Sequence, residues 1–200
     1  MPGSPFETKA LDDVSLKIED GEFIGVIGHT GSGKSTLIAY MDALERAKEG
    51  HVFVNGVDLG ASGVNLTQIR REVGLVFQYP EYQLFEETVG QDVAFGPKNL
   101  GLPEAEIAAS VKRALALVGL DERIAQASPF ALSGGQKRRV AIAGVLAMNP
   151  SILVLDEPAA GLDPAGRREM LELIRGIHES GVTVVMVSHS MDDVGKYCNR

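Results

Sequence analysis

The sequence feature that most constrains the fold is a glycine-rich turn between a strand pattern and a helix pattern. Residues 28–35 read Gly-His-Thr-Gly-Ser-Gly-Lys-Ser and fit the pattern G-x-x-x-x-G-K-[ST]. They follow the apolar run Phe23–Ile27 and lead into a helical pattern from Lys34 to about Arg46. Glycines let such a turn wrap closely around phosphate, and the N-terminus of the following helix adds partial positive charge. The motif therefore predicts a phosphate-binding turn.

The residues of this turn have separate expected roles. The Lys34 ammonium is expected to bridge the terminal phosphates of a nucleotide, and the Ser35 hydroxyl to bind Mg²⁺. The alternative is a glycine-rich strand-to-helix turn without a ligand, which the combination of strand, helix, Lys and Ser disfavours. We expect the whole turn to contact ATP, through Gly28, His29, Thr30, Gly31, Ser32, Gly33, Lys34, Ser35 and Thr36.

A pair of acidic residues ends a second apolar strand pattern. Ile152–Leu155 contains no polar residue and is followed by Asp156 and Glu157. Both carboxylates are candidates for the site, because ligands bind at the carboxyl edge of a parallel sheet. Asp156 is expected to hold Mg²⁺, usually through water, and Glu157 to orient or deprotonate the attacking water. The alternative is a strand that ends in a solvated acidic turn, and the nearby phosphate-binding motif makes this less favourable.

The remaining patterns predict an α/β fold around a parallel sheet. Two antiparallel hairpins are expected in the first third, one joining Val14–Ile18 to Phe23–Ile27 and one around Asn55-Gly56 after His51–Val54. Strands that are apolar on both faces and alternate with helices indicate a parallel sheet covered on both sides. The other expected strands are Val73–Phe77, Ile152–Leu155 and Val182–Val187, and the other expected helices are Glu104–Leu117, Gln136–Met148 and Pro164–Ser180.

The pentapeptide Leu132-Ser-Gly-Gly-Gln136 opens one of these helices. Ser133 is placed to cap the first turn, which makes a second anion-binding helix terminus in the same chain. An ordinary capped helix is the alternative. The pentapeptide reads LSGGQ, and here the chain resembles the ATP-binding cassette (ABC) family, whose signature has this sequence. The resemblance implies a head-to-tail pair of chains, in which the signature of one contacts ATP held by the other through Ser133, Gly134, Gly135 and Gln136.

Three more segments match landmarks of the ABC family in the expected order. Gln78 resembles the Q-loop glutamine, which senses Mg²⁺ and contacts the transporter partner. Asp163 ends Ala160-Gly-Leu-Asp163, which resembles the D-loop that links the two ATP sites, and His189 resembles the switch histidine that contacts the γ-phosphate. The resemblance thus implies a catalytic set of Glu157, His189 and Gln78, a further ATP-site residue Asp163, and a Mg²⁺-binding set of Ser35, Gln78 and Asp156.

The Q-loop segment carries a finer resemblance. Residues 77–89, together with His29-Thr30 and Phe95–Asn99, resemble the ATPase (A) component of energy-coupling factor (ECF) importers. The resemblance implies an ATPase that powers the uptake of vitamins or transition-metal ions in prokaryotes. Its implied partners at the cytoplasmic face of the membrane are a second ATPase chain, a transmembrane scaffold (T) component and a substrate-binding membrane (S) component. The implied contacts with the scaffold, against the alternative of a solvated loop, are Glu81, Tyr82 and Glu86.

The resemblance also implies the domain organisation. Residues 1–200 are expected to form a single ABC ATPase domain, with a RecA-like P-loop NTPase core in 1–78 and 149–200 that includes an N-terminal antiparallel β-subdomain. Residues 79–148 are expected to form an inserted α-helical subdomain that carries the Q-loop and the signature. The sequence is expected to be a fragment truncated at both ends, without the C-terminal strands and tail of the family. Only Phe6 precedes the first hairpin as a candidate for stacking on adenine.

Composition and charge narrow the choice of partners. The net charge of −8 argues against nucleic acid, and Lys137-Arg138-Arg139 is interpreted as a solvated face of the signature helix. Cys198 is the only cysteine, so neither an internal disulfide nor a cysteine-rich metal site is possible. No apolar stretch approaches the roughly 20 residues of a membrane-spanning helix, so membrane association is expected to be peripheral.

Three other functions stay open at this point. The chain also resembles the ATPase of a conventional ABC importer, which differs only in its membrane partner. A soluble ABC protein that acts on DNA or the ribosome usually has long coiled-coil insertions or two tandem cassettes, and the sequence shows neither. The third alternative is a nucleotide-binding fragment that no longer turns over ATP.

Overall fold

Four apolar strands form the centre of the fold in the computed structural model, which describes residues 9–200. The strands of this range are β1 (Phe23–Ile27), β2 (Phe53–Val54), β3 (Val57–Asp58), β4 (Val73–Val76), β5 (Ile152–Asp156) and β6 (Thr183–Ser188). The strands β1, β6, β5 and β4 lie parallel, in that spatial order, and β6 is buried along its whole length. The expected α/β fold with a parallel sheet is therefore confirmed.

Helices precede or follow each strand of this sheet. Those of the described range are α1 (Lys34–Met41), α2 (Leu66–Glu72), α3 (Val89–Asn99), α4 (Glu104–Leu117), α5 (Gly134–Leu146), α6 (Pro164–Glu179) and α7 (Met191–Tyr197), with 3₁₀ turns at Pro80–Gln83, Glu122–Gln126 and Pro129–Ala131. The expected helices α4, α5 and α6 are confirmed, whereas the sequence patterns do not predict α2, α3 and α7. Helix α1 ends well before Arg46, because Ala43 has a left-handed backbone with φ 52°. Within residues 9–200, none of the helices has the length and apolarity needed to cross a membrane.

Alternate residues of the central strands face two separate hydrophobic clusters. Leu153 and Leu155 of β5 pack with residues of α3 to α6, whereas Val154 between them packs with residues of α1, α2 and the β2–β3 hairpin. This is the period of two that a strand imposes on its side chains. The sheet is thus covered by apolar side chains on both faces. Polar side chains that could contact a ligand can therefore lie only at the edges of the sheet and at the ends of its strands.

The carboxyl ends of the strands bring distant parts of the sequence together. Ile27 at the end of β1 pairs with Ser188 at the end of β6, and Asp156 at the end of β5 pairs with Val187. Because the strands are parallel, the residues that follow them lie along one edge of the sheet. The glycine-rich turn, Glu157 and His189 therefore emerge side by side.

The expected hairpin between Val14–Ile18 and β1 is wrong. Residues 14–18 form no strand, and the side chains of Val14 and Leu16 are exposed. The outer edge of β1 is instead bonded to residues 199–200: the N–H of Gly25 donates to the Arg200 carbonyl at 2.8 Å, and the N–H of Asn199 donates to the Phe23 carbonyl at 2.7 Å. These bonds take the backbone groups that a hairpin partner needs. The candidate adenine-stacking residue Phe6 lies outside the described residues.

The second expected hairpin is confirmed, in a shorter form. Strands β2 and β3 pair antiparallel around Asn55-Gly56, whose φ values are 47° and 79°. Positive φ at both central residues is the geometry of a type I′ turn, which matches the twist of the strands and favours Asn-Gly. Within residues 9–200, the antiparallel part of the fold consists of this two-stranded hairpin.

Asp42, directly after α1, makes the stability pH-dependent. Burial raises the pKa of its carboxyl to about 6, against the opposing charge of Arg70. The folded state therefore holds this proton more tightly than the unfolded chain, so the contribution to stability is present at low pH and is lost as the pH rises through about 6. We expect Asp42→Asn to raise the free energy of unfolding by about 1 to 2 kcal/mol at pH 8 and to change it little at pH 4. Urea unfolding at both pH values measures this, and an equal effect at the two would contradict it.

Candidate active site

Three predicted catalytic side chains meet at the carboxyl edge of the sheet. Glu157 follows β5, Gln78 follows β4 by two residues, and His189 follows β6. The Gln78 Nε2 donates to the Glu157 Oε2 at 2.9 Å, and the His189 Nε2 contacts the Glu157 Oε1. Both oxygens of one carboxylate are therefore engaged, which fixes the orientation of the Glu157 side chain. The structure thus brings together residues that the sequence keeps far apart.

The contacts of His189 also determine where its hydrogens lie. The Nδ1 atom is 3.0 Å from the carbonyl oxygen of Gly28, which can only accept, so Nδ1 carries a hydrogen. The contact between the His189 Nε2 and the Glu157 carboxylate then requires a proton on one of these two atoms. His189 therefore links Glu157 to the first residue of the glycine-rich turn through a chain of hydrogen bonds.

The glycine-rich turn joins β1 to α1, as the motif predicts. Gly31 and Gly33 have φ values of 82° and 92°, in the left-handed region that favours glycine. At Gly33 a Cβ atom would also lie 2.2 Å from the Ala10 carbonyl oxygen, so no other residue fits there. The turn therefore brings its backbone and the first turn of α1, whose N–H groups have no acceptor within the helix, to the same edge.

Lys34 folds back over this turn. Its Nζ donates to the carbonyl oxygens of Gly28 and His29, at 2.6 and 2.9 Å. The carbonyl of Gly28 therefore accepts from both Lys34 and His189, which places an ammonium group and an imidazole next to each other at the mouth of the turn. Two groups that can face a terminal phosphate thus lie on the same side of the glycine-rich turn.

The residues that remain fit a hard cation. Burial raises the pKa of the Asp156 carboxyl, and so does the adjacent charge of Glu157, whereas Lys34 and His189 act in the opposite direction. Negative charge that is crowded in this way is stabilised by a divalent cation, and the carboxylate, hydroxyl and amide oxygens of Asp156, Ser35 and Gln78 are suitable donors for Mg²⁺. Within residues 9–200, no three His, Cys, Asp or Glu side chains form a group that could hold a metal alone.

The backbone at Glu157 is unusual for its residue type. Its φ is 50°, in the left-handed region, and the strain is held by two hydrogen bonds: its N–H donates to the Val187 carbonyl and its carbonyl accepts from Ala160, both at 3.0 Å. A cavity of ≈ 120 Å³ borders this turn and His189. The lining of this cavity also includes residues of α6.

The signature forms a separate surface. The Ser133 side chain accepts from the Gln136 N–H at 3.3 Å, and the Gln136 side chain accepts from the Ser133 N–H at 3.1 Å, so the predicted N-cap is confirmed as a capping box. Gly134 and Gly135 are exposed. Among the described residues, no hydrogen bond or ion pair joins this surface to the glycine-rich turn, so the two predicted anion-binding helix termini are not linked directly within the chain.

Asp163 has a structural contact that the family resemblance does not imply. Its side chain caps α6 by accepting from the Gly166 N–H at 2.7 Å. The position of the predicted D-loop residue is therefore fixed by the start of a helix.

The solvated-face interpretation of Lys137-Arg138-Arg139 is wrong for Arg138. This residue is 2% exposed, and its guanidinium pairs with the Glu81 carboxylate and donates to two backbone carbonyls. Arg139 is also largely buried and donates to the Val118 carbonyl. Glu81, an expected scaffold contact, is thus engaged within the chain, whereas Tyr82 is 84% exposed. Sequence reasoning missed this pair because a run of cations is usually a solvated face, and the opposite charge is far away in the sequence.

Comparison with protein families agrees with this arrangement. A model described as ABC transporter matches residues 11–160, which carry the glycine-rich turn, the signature and the Asp-Glu pair. The chain belongs to this family. The fold class is therefore that of an ABC ATPase.

Individual relatives show which members of the ABC family this chain is similar to. The chain is 61% identical, over its whole length and 69% of the other protein, to the energy-coupling factor transporter ATP-binding protein EcfA2 of Symbiobacterium thermophilum. The structure of CbiO1 from Clostridium perfringens, described as part of the ABC transporter complex CbiONQ, has a TM-score of 0.87 and 39% identity, over 95% of this chain and 76% of CbiO1. The ATP-binding cassette MJ0796, a dimer with ADP and Pi, has a TM-score of 0.77 and 34% identity, over 92% of this chain and 82% of MJ0796.

Proposed function

We propose that this chain is the ATP-binding and ATP-hydrolysing subunit of an ECF importer. The observation that carries the proposal is the cluster in which Glu157 contacts both Gln78 and His189, while His189 contacts the first residue of the glycine-rich turn. The similarity to EcfA2 supports the ECF assignment over a conventional importer. Such a protein is a translocase, because ATP hydrolysis drives transport of another molecule.

The residues of the site have distinct tasks in this reaction. The backbone N–H groups of the turn and the Lys34 ammonium bind the phosphates, and Ser35, Asp156 and Gln78 would hold Mg²⁺. When bound, Mg²⁺ neutralises charge on the transferred phosphoryl group. Glu157 accepts a proton from the attacking water, and His189 donates a hydrogen bond toward the γ-phosphate. Catalysis is then positioning plus charge stabilisation.

A second ATPase chain completes the site. The signature residues Ser133–Gln136 present an exposed helix N-terminus that its own chain does not direct at the glycine-rich turn. A head-to-tail dimer, with an identical or a related chain, brings this terminus to the ATP of the partner. The dimeric structure of MJ0796 supports such pairing.

An exposed aromatic surface is the proposed contact with the transmembrane scaffold. This surface consists of Phe85 and Phe95, which are 57% and 43% exposed and pack edge to face with ring centroids 4.9 Å apart. Tyr82 precedes Phe85 by three residues in the Q-loop segment. Glu86 adds negative charge at its border. The scaffold and the substrate-binding component then hold the chain at the cytoplasmic face of the membrane, where it powers uptake of a vitamin or a transition-metal ion. In this arrangement residues 79–148 act as the helical subdomain, and 1–78 with 149–200 as the RecA-like core.

Titration with Mg-ATP tests whether the site binds nucleotide. We expect saturating ATP to raise the melting temperature, because a ligand at a hundredfold excess over Kd stabilises the folded state by about 2.7 kcal/mol. Lys34→Ala is expected to abolish the shift, since it removes the ammonium group that faces the phosphates. Thermal unfolding with increasing Mg-ATP measures both.

The matched control is Lys112→Ala. Lys112 is an exposed lysine of α4 that pairs with Glu122, so its removal is expected to leave the ATP-dependent shift unchanged. A shift that survives in Lys34→Ala, or that disappears equally in Lys112→Ala, would place nucleotide binding elsewhere. Absence of any shift in the unaltered protein would contradict the proposed function.

A further inference from the structure

A buried arginine lies where three functional segments meet. Arg138, one turn into the signature helix α5, is 2% exposed. Its guanidinium contacts the Q-loop segment on one side and the D-loop segment on the other. We call this group the Arg138 junction, and it consists of Tyr79, Glu81, Arg138 and the carbonyls of Pro158 and Ala160.

The Q-loop side of the junction is a two-pronged ion pair. The Arg138 Nε donates to the Glu81 Oε2 at 2.8 Å, and a terminal nitrogen donates to the Oε1 at 2.6 Å. Burial raises the pKa of the Glu81 carboxyl, but the hydrogen bonds from Arg138, the backbone N–H of Glu81 and the charge of Arg138 together outweigh burial and lower this pKa. A lysine cannot reproduce the planar fork. The pair therefore fixes the orientation of the 3₁₀ turn Pro80–Gln83 relative to α5.

The D-loop side of the junction lies next to the catalytic carboxylate. The remaining terminal nitrogen of Arg138 donates to the carbonyls of Pro158 and Ala160, at 3.1 and 2.8 Å. These two carbonyls belong to the turn that the Ala160 N–H closes by donating to the Glu157 carbonyl at 3.0 Å. Because Glu157 has a left-handed backbone, the direction of its side chain depends on this turn.

Tyr79 joins the two sides. Its ring lies under the Arg138 guanidinium, with the carbon 5.7 Å from the ring centroid, and a Cβ on Gly161 would come within 3.3 Å of the ring. Tyr79 itself has a left-handed backbone, with φ 55°, and directly follows Gln78. Glu157 is thus held from two directions by the same segment, directly by Gln78 and indirectly through Arg138.

A purely structural role explains this arrangement poorly. Burial of an ion pair costs desolvation, and apolar residues of similar volume often stabilise a protein as well or better. Here four of the five N–H groups of Arg138 have acceptors, and two of these acceptors are backbone carbonyls within three residues of Glu157. Such contacts fix the position of the 157–160 turn more than they increase the stability of the core.

We propose that Arg138 is a positioning residue that keeps Glu157 aligned by tying the 157–160 turn to the Tyr79–Gln83 segment. A shift of that segment, which carries the exposed Tyr82, moves Glu157 through Arg138 as well as through Gln78. The effect on turnover rests on the proposed function, whereas the effect on the turn itself does not.

Two readouts in the 200-residue chain test this positioning role of Arg138. We expect Arg138→Met to lower kcat for ATP about tenfold while KM changes little, because a small misplacement of the catalytic group weakens only the transition state. Hydrogen exchange of the backbone amides in 157–163 is expected to become faster.

Two further variants grade the effect. Glu81→Gln is expected to lower kcat less than Arg138→Met does, and Arg138→Lys is expected to keep part of the kcat that Arg138→Met loses. The matched control is Arg139→Met, which removes the neighbouring, largely buried arginine of α5, whose contacts are with Val118 and Glu169.

Arg139→Met is expected to leave both readouts near those of the unaltered protein. Equal effects of Arg138→Met and Arg139→Met, a rise in KM at unchanged kcat, or unchanged exchange in 157–163 would overturn the proposal. If Arg138→Met fails to fold, Glu81→Gln and Arg138→Lys carry the same test. If the unaltered protein does not hydrolyse ATP, the proposed function fails, and hydrogen exchange alone decides the role of Arg138.

Discussion

Glu157→Gln is expected to reduce the rate of ATP hydrolysis by about 1,000-fold and to leave ATP binding intact. A glutamine at this position has the same shape as the glutamate. Its oxygen can still accept from the Gln78 Nε2, and its amide group can donate to the His189 Nε2, so both contacts of the side chain survive. What is lost is the carboxylate that is proposed to accept a proton from the attacking water. The glycine-rich turn and Lys34, the proposed phosphate-binding groups, are untouched, so nucleotide affinity is expected to stay the same.

Phosphate release and equilibrium binding of ATP measure the two halves of this prediction. The matched control is Glu169→Gln, which removes a carboxylate from α6 that is 69% exposed at its side chain. This control is expected to hydrolyse ATP at the normal rate. Hydrolysis at the normal rate in Glu157→Gln would mean that another group activates water. Loss of ATP binding in the same variant would mean that Glu157 acts on the nucleotide rather than on water.

The proximity of the candidate catalytic residues is predictable from the sequence because these residues follow strands. Gln78, Glu157 and His189 each lie one or two residues beyond the end of a strand, and the ends of parallel strands meet at one edge. Once the runs are recognised, the proximity of these residues follows without knowledge of the contacts. The two contacts of His189 could not be predicted: its Nε2 contacts Glu157, and its Nδ1 contacts the Gly28 carbonyl. Both depend on side-chain rotamers within the assembled site.

Prediction fails where long-range contacts override a local pattern. The alternation of Val14–Ile18 favours a strand, yet the edge of β1 is bonded to Asn199 and Arg200. The run Lys137–Arg139 favours a solvated face, yet Arg138 finds its opposite charge in Glu81. In both cases the deciding partner is distant in the sequence, so no local window contains it.

The sequence patterns do not predict helix α3, for a different reason. It contains Gly90, Gly96 and Pro97, three residues that lower helix propensity. Two of them serve packing: a Cβ on Gly90 would lie 3.1 Å from the Ala125 carbonyl, and one on Gly96 would lie 2.8 Å from the Met148 side chain. The capping box of Thr88 and Gln91 is the signal that could have located the helix start.

Gly135→Ala is expected to separate stability from activity in the signature. Neither Gly134 nor Gly135 has a positive φ, and a Cβ on either would meet nothing within 4 Å in its own chain. The fold of the single chain therefore does not require glycine here. An alanine is expected to stabilise the start of α5 by up to about 1 kcal/mol, through its better helix propensity. In the proposed dimer, however, the same methyl group stands between the helix N-terminus and the phosphates of the partner's ATP, where glycine permits a close approach.

We therefore expect Gly135→Ala to melt at the same or a higher temperature and to hydrolyse ATP about 100-fold more slowly, as when a donor to the developing charge is lost. The matched control is Gly176→Ala, in the exposed interior of α6, where a Cβ also meets nothing within 4 Å. That variant is expected to gain stability without losing activity, because the proposed dimer places no nucleotide there. A normal rate in Gly135→Ala would exclude a close approach of the signature to ATP. A fall in the melting temperature would show instead that the glycine serves its own chain.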